Sequence, residues 1–331
     1  MKKIMFMLVA VAAMASSCTQ SDVIGLSSDD NVEIRVSAGI TSAVSPSTRA
    51  VLDGMINSNF TENLDVAFVR ADEGVAAYGD YGGTALVGTV AHAGKTLSFA
   101  PAEYYLVSGK KIGWYPRRSG VSYTQGTRVV DFGEIDGKTD LMATVLYEGS
   151  KGTKISSITF NHLLTQFSIK VYAPDAAAQG LWGTVSSIKI AEKKQTCTIT
   201  LPAATETANT AAAPTFTGNS DLDLVKTDLT TSPASTITYP LTLGVGTAAN
   251  AAQAGYAMFA PQTAGNVVLK IELSSGVTQT VNVPVPTTPT PAGFLHGHAY
   301  EITLKFSSSA ITPTVSVVDW VPVTNTPEVE I

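Results

Sequence analysis

Few stretches of this 331-residue chain carry residue types that do chemistry. The thiol of Cys18 follows the small residues Ala15, Ser16 and Ser17, a setting in which a cysteine can be alkylated by a lipid. The Arg49-Ala50 bond follows the polar run 42–48 and can be hydrolysed by a protease that seats a guanidinium. Other candidates offer less. His296-Gly297-His298 holds the only two of four histidines that are close in sequence, whereas a metal site needs three or four ligands with supporting partners. With apolar Phe294 and Leu295 beside it, the stretch reads as a structural turn. His162, between Phe160 and Leu164, reads as a packed histidine with one hydrogen bond. Gly244-Val245-Gly246-Thr247-Ala248-Ala249 lacks the third glycine, the amphipathic helix and the ribose-binding acid of a dinucleotide loop. Neither a nucleophile elbow, a Walker loop nor a zinc-protease motif occurs. Two carboxylates on different strands could meet for sugar hydrolysis, but nothing singles out a pair. Trp114-Tyr115-Pro116 with Tyr104 and Tyr105 could face a glycan or fill a core. No catalytic, metal-ligating or cofactor-binding residue emerges, so the chain does not read as an enzyme.

The chain's start sets its route. Lys2 and Lys3 precede an apolar run from Ile4 to Met14, too short to span a bilayer, and then the small residues. Residues 1–17 therefore read as a secretion signal, and Ala15-Ser16-Ser17-Cys18 resembles a bacterial lipobox, which makes Cys18 the acylated first residue. An ordinary signal peptide with an incidental cysteine is the alternative. Several acyl chains, at about 0.8 kcal/mol per buried CH₂, would anchor the precursor in a membrane. The other cysteine, Cys197, then has no partner for an intramolecular disulfide. A net charge of -6 without a basic stripe argues against nucleic acid as a partner. Charged residues make up only 15%, which favours strands and turns over long helices.

The elements follow from alternation. Val32, Ile34, Val36, Ala38 and Ile40 form one apolar face of a leader strand, and residues 41–49 have the chemistry of a flexible tether. Such a tether invites a cut, or it is a loop between two permanent strands. Strands are expected over Leu64–Arg70, Arg128–Phe132, Thr153–Phe160, Gln166–Tyr172, Val185–Ile190, Thr196–Leu201, Val267–Leu273, Thr278–Val285 and Tyr300–Phe306. Short helices are expected over Ala50–Ile56 and Leu222–Asp228, and loops over Ala203–Ser220 and Pro284–Pro291. This is an all-β pattern of antiparallel sandwiches. The length exceeds one core, so two domains are expected, 50–165 and 166–331, with a hinge near Thr165. In the tail, Val315, Val317, Val321 and Val323 share one face, and Val318 and Trp320 the other. Asp319 interrupts the first face, and Pro322 marks a bend or an edge.

Several of these features occur together: the lipobox, the leader strand, Arg49 before Ala50-Val51-Leu52, Phe160-Asn161-His162-Leu163-Leu164, Met258-Phe259-Ala260-Pro261-Gln262, Gly297-His298-Ala299-Tyr300-Glu301-Ile302 and Val317-Val318-Asp319-Trp320. In this order they resemble the fimbrillin family, the lipoprotein-derived subunits of Bacteroidales type V pili. The resemblance implies two transthyretin-like β-sandwich domains in tandem. It implies an outer-membrane lipoprotein precursor whose propeptide, residues 18–49, is released by an arginine-specific protease at Arg49-Ala50. It further implies self-polymerisation with other fimbrial subunits by donor-strand exchange. The displaced strand is then Val32 to Ile40, and the donor is the tail 312–331 with Val315, Val317, Val318, Trp320, Val321 and Val323. The mature form is expected on the cell surface in fimbriae that support adhesion. A tip or accessory adhesin and a non-polymerising glycan-binding lipoprotein are the alternatives.

Overall fold

The computed structural model describes residues 32–40, 63–73, 79–106, 109–114, 121–228, 235–288 and 290–318, with the backbone alone for Ile40 and residues 109–114. The helix expected over Ala50–Ile56 lies outside them. In chain order the first strands are β1 (Val36–Ile40), β2 (Leu64–Asp72), β3 (Leu86–Val90), β4 (Thr96–Phe99), β5 (Gly109–Trp114), β6 (Ser122–Thr124), β7 (Val129–Glu134), β8 (Met142–Ala143), β9 (Tyr147–Glu148) and β10 (Ser157–His162). There follow β11 (Thr165–Ala173), helix α1 (Ala176–Trp182), β12 (Thr184–Thr200), β13 (Ala213–Asp223), β14 (Thr227–Asp228), β15 (Ser235–Thr236), β16 (Leu241–Thr242) and β17 (Gly244–Val245). The last are β18 (Ala252–Phe259), β19 (Asn266–Leu273), β20 (Thr278–Pro284), β21 (Ala299–Phe306) and β22 (Ile311–Val318). The fold is all-β, as the alternation predicts.

Three sheets carry the architecture. In the first, pairing runs β2-β3-β4-β1-β10-β8-β5 and returns to β2, because β2 also pairs with β5; β9 attaches to β5. The strands thus close into a ring. Its filling is Val66, Phe68, Leu97, Phe99, Ile158 and Phe160 with their neighbours. In the second sheet, β11 lies between β18 and β21, with β22 on the outer side of β21. The third runs β20-β19-β12-β7-β6, with β13 also along β12. The second and third sheets enclose a core centred on Phe167, whose ring meets Phe259 and Phe294 edge-on at 4.7 and 4.6 Å.

Two strands join these parts. β2 is buried on both faces: Leu64, Val66 and Phe68 enter the ring, while Ala67, Val69 and Ala71 enter an intermediate cluster with Phe132, Ile199 and Met258. β12 runs 17 residues, pairing with β19 at Val185–Ile188 and with β7 at Thr196–Thr200. The sequence suggests two strands here because residues 191–195 break the apolar alternation, yet pairing with β13 carries the backbone through.

The remaining differences have local causes. The loop expected over Ala203–Ser220 ends early: β13 begins at Ala213, and the helix expected over Leu222–Asp228 is the end of β13 followed by β14. Its side chains are mostly exposed, so no apolar periodicity betrays a strand that the ladder to β12 holds. β18 escaped notice for the opposite reason, being buried on both faces over Ala254–Phe259. Helix α1 is announced by its caps. The Asp175 side chain accepts from Ala178 N at 2.8 Å, and Gly183 ends the helix at φ +68°.

Burial also sets a pH dependence. It pushes the Cys197 thiol up to about 12, with the Asp131 charge adding to the effect, and the Tyr81 phenol likewise to about 12. Both groups fold neutral, so their contribution is whole below the unfolded pKa values, about 8.5 and 10, and is lost as pH rises toward 12. Urea midpoints should therefore fall above about pH 8.5. Cys197→Ala should delay the onset of the fall to about pH 10 and make it shallower above that, leaving the Tyr81 share. An unchanged profile would show that the thiol is not desolvated.

Candidate functional site: the leader strand and its slot

The leader segment forms the one link of the ring that a cut at Arg49 would separate from the rest of the chain. β1 runs parallel to β10, with Ser37 to Ile40 opposite Ser157 to Phe160, and antiparallel to β4 at Val36-Leu97 and Ser37-Thr96. Ahead of β1, Ile34 N donates to Glu103 O at 2.7 Å, and Tyr105 N donates to Val32 O at 2.8 Å. Ala38 N donates to Lys95 O at 2.8 Å. The segment therefore has backbone partners along both edges.

Its alternation matches the slot. Ile34, Val36 and Ala38 are buried, Val32 is half-buried against the same cluster, and Arg35 and Ser37 face outward. For Ile40 the pairing with Phe160 is described and its side chain is not. The slot's floor is aromatic: Phe68 meets Phe99 at 5.5 Å and Phe160 at 6.1 Å, both edge-on. Tyr105 closes one end, its hydroxyl accepting from Ile155 N at 3.1 Å, and burial raises its pKa. Gly149 is required there, since a Cβ would lie 2.7 Å from the Ile155 side chain and 2.9 Å from the Tyr105 ring. Arg70, which bonds Asp72, also reaches Glu103 at 3.1 Å and so braces the segment after β4 that holds Ile34. Outside, the Arg35 guanidinium bonds Glu33 at 2.9 Å, which raises its pKa.

Of the slot's walls the sequence singled out Tyr105, as an aromatic for a glycan face or a core, but not as a neighbour of the leader. Phe68 was visible only as a member of an alternating run and Phe160 also as the head of the run 160–164, and nothing in one sequence says that their strands border the leader. Of the donor residues, Val315, Val317 and Val318 stand in β22, paired throughout with β21 of the same chain and half-buried. Cys18, Arg49, Ala50, Trp320, Val321 and Val323 lie outside the described residues, as do Tyr115 and Pro116.

The other chemical candidates find structural places. His162 is buried with Nδ1 2.7 Å from Asp140 Oδ2. Gly297, at φ +70°, donates its N–H to Leu164 O at 2.8 Å, so His296-Gly297-His298 is a turn that pins the crossing from β10 to β11. Tyr105 is core and Tyr104 is exposed. Among the described residues no three His, Cys, Asp or Glu side chains gather to hold a metal ion, and no helix is long and apolar enough to cross a membrane.

Comparison with known proteins places the chain. No curated protein matches its sequence. A candidate cell adhesion protein from Bacteroides uniformis has a similar crystal structure, with TM-score 0.52 and 17% identity over 89% of this chain and 99% of its own. A second, from Bacteroides ovatus, gives TM-score 0.53 and 15% identity over the same shares. At these identities the likeness speaks for the fold. The tip fimbrial protein Mfa3 of Porphyromonas gingivalis, at TM-score 0.41 and 7% identity over 87% of this chain and 100% of its own, is too distant to bear on the argument. The fimbrillin-like family matches residues 48–320 in one piece, from beside Arg49 to the end of the last strands. This chain belongs to the fimbrillin-like family.

Proposed function

We propose that the protein is a cell-surface fimbrial subunit whose leader strand occupies the place of a neighbour's strand until it is cut away. The observation that carries this reading is the seat of Ile34, Val36 and Ala38, buried in a slot with ladders on both sides. Ile34 and Val36 contribute about 1.5–3 kcal/mol each by burial. The ladder bonds add about 1 kcal/mol apiece. While the strand stays joined to the chain beyond Arg49, its effective concentration is near millimolar. A micromolar competitor then starts about 4 kcal/mol behind. Hydrolysis after Arg49 ends that advantage, and loss of the leader opens the ring with apolar surface and two unpaired edges, β4 and β10.

The rest of the reading follows the sequence. Cys18 carries the lipid that holds the precursor at the outer membrane, and an arginine-specific protease releases residues 18–49. Residues 50–165 and 166–331 are the tandem sandwich units, sharing the sheet that β7 and β12 form. The incoming strand runs parallel to β10, as β1 does. The tail 312–331 is the donor, and its first part, β22, is an edge strand half-exposed along its length, which lets it peel from β21. That same pairing favours a second reading, a tip subunit that receives a strand and donates none.

Trypsin-treated precursor should yield a chain starting at Ala50 and fibres under the electron microscope, and an Arg49→Ala chain should stay monomeric. Cut protein that remains monomeric would support the tip reading, whereas a leader that stays bound after cleavage would overturn both. Val36→Asp should lower the precursor's stability by about 3 kcal/mol, since it buries an unpaired charge. The mutant's leader should come away without cleavage, read as fibres from uncut protein. A melting temperature equal to wild type would contradict the buried seat.

A further inference from the structure

Residues 191–195 lie where β12 changes neighbours. Its pairing with β19 ends at Ile188, and pairing with β7 begins at Thr196. Between them Glu192 takes a left-handed φ of +59°, and the register against β13 shifts. The departure leaves a cleft of about 390 Å³, walled by β12, the Gly218–Asn219 part of β13, and β19. That volume suits a small polar ligand. The cleft shares no residue with the leader's slot.

Its lining is mixed, with the Glu192 carboxylate, the ammoniums of Lys193 and Lys270 and the apolar Val268 beside a set of side-chain amides. Four carboxamides line it, from Gln195, Asn219, Gln262 and Asn266. Gln195 donates to Gly218 O at 3.0 Å, while its Oε1 is buried and accepts no hydrogen bond. Gln262 donates to Ala264 O at 3.0 Å. A carboxamide both donates and accepts, which matches the dual character of a hydroxyl. Lys193 is the cation of the site. Its ammonium sits 5.9 Å from the centre of the buried Phe259 ring and makes no ion pair among the described residues. Its neighbours Lys189, Lys194 and Lys270 are paired with Asp223, Glu134 and Asp221. Burial lowers the Lys193 pKa, and the Glu192 charge opposes this. An anion placed beside it would add to the Glu192 charge in offsetting the hydration that burial removes from the ammonium.

We propose that this cleft binds an acidic saccharide, with the sugar carboxylate against the Lys193 ammonium and ring hydroxyls against the carboxamides of Gln195, Gln262 and Asn266. A hydroxyl donating to Gln195 Oε1 would satisfy the buried oxygen. An acidic peptide offers the same carboxylate but lacks the row of ring hydroxyls that the side-chain amides of the cleft would pair with.

The test is calorimetric titration of the full chain with trigalacturonic acid, sialyllactose, lactose and hexaglutamate. At least one acidic sugar should bind, and lactose should bind about tenfold more weakly or less. Lys193→Gln should weaken the acidic sugar by about tenfold or more with the melting temperature unchanged. Asn266→Ala should weaken acidic and neutral sugars alike, and Lys305→Gln, which removes an exposed charge on β21, should change neither. The proposal is overturned if neither acidic sugar binds, if Lys193→Gln leaves affinity intact, or if hexaglutamate binds more tightly than both sugars. Because the cleft and the slot share no residue, either result leaves the polymerisation reading standing or falling on its own test.

Discussion

A closed ring of strands has no edge, and in this protein the ring is closed by a segment that hydrolysis at Arg49 would free from the rest of the chain. Every other link, from β2 to β10, belongs to the chain beyond that bond. The constraint is therefore topological before it is energetic. If the leader leaves, β4 and β10 each present a row of unpaired backbone groups over the aromatic floor of Phe68, Phe99 and Phe160. Water can satisfy the backbone but not the rings, so a replacement strand is favoured over an open slot.

The rest of the fold gives that slot a rigid frame. β2 forms one wall of the ring and, with its opposite face, one wall of the intermediate cluster. β12 ties the intermediate cluster to the Phe167 core, since Cys197 and Ile199 lie in one and Val185, Ile188 and Ile190 in the other. Removal of three leader side chains thus leaves two of the three cores untouched. The proposed exchange requires this, since the two untouched cores would hold the slot's frame if the leader were lost.

The leader's alternation and most of the strands were legible because half-buried strands write their environment into the sequence with period two. Ile34, Val36 and Ala38 are an example, and the structure buries those three. What was not legible has the converse cause. β18 is buried on both faces, β13 is mostly exposed, and neither alternates. The direction of pairing was also hidden, since alternation fixes which face is inward but not which neighbour a strand takes, and β1 lies parallel to β10 although the chain reads as antiparallel throughout. The cleft at residues 191–195 was hidden for a third reason, because it arises from a change of partners along one strand and its polar residues look like an ordinary surface.

Hydrogen exchange before and after cleavage tests the central claim most directly. In the intact chain the amides of Ile34, Ala38 and Tyr105, which bond across the leader's edges, should be protected. After cleavage and loss of the leader in dilute monomer, protection should fall along residues 96–99, 103–105 and 157–160 while the Phe167 core keeps its own. Free exchange of Ile34 and Ala38 in the intact chain, or unchanged protection of β4 and β10 once the leader is gone, would contradict the account.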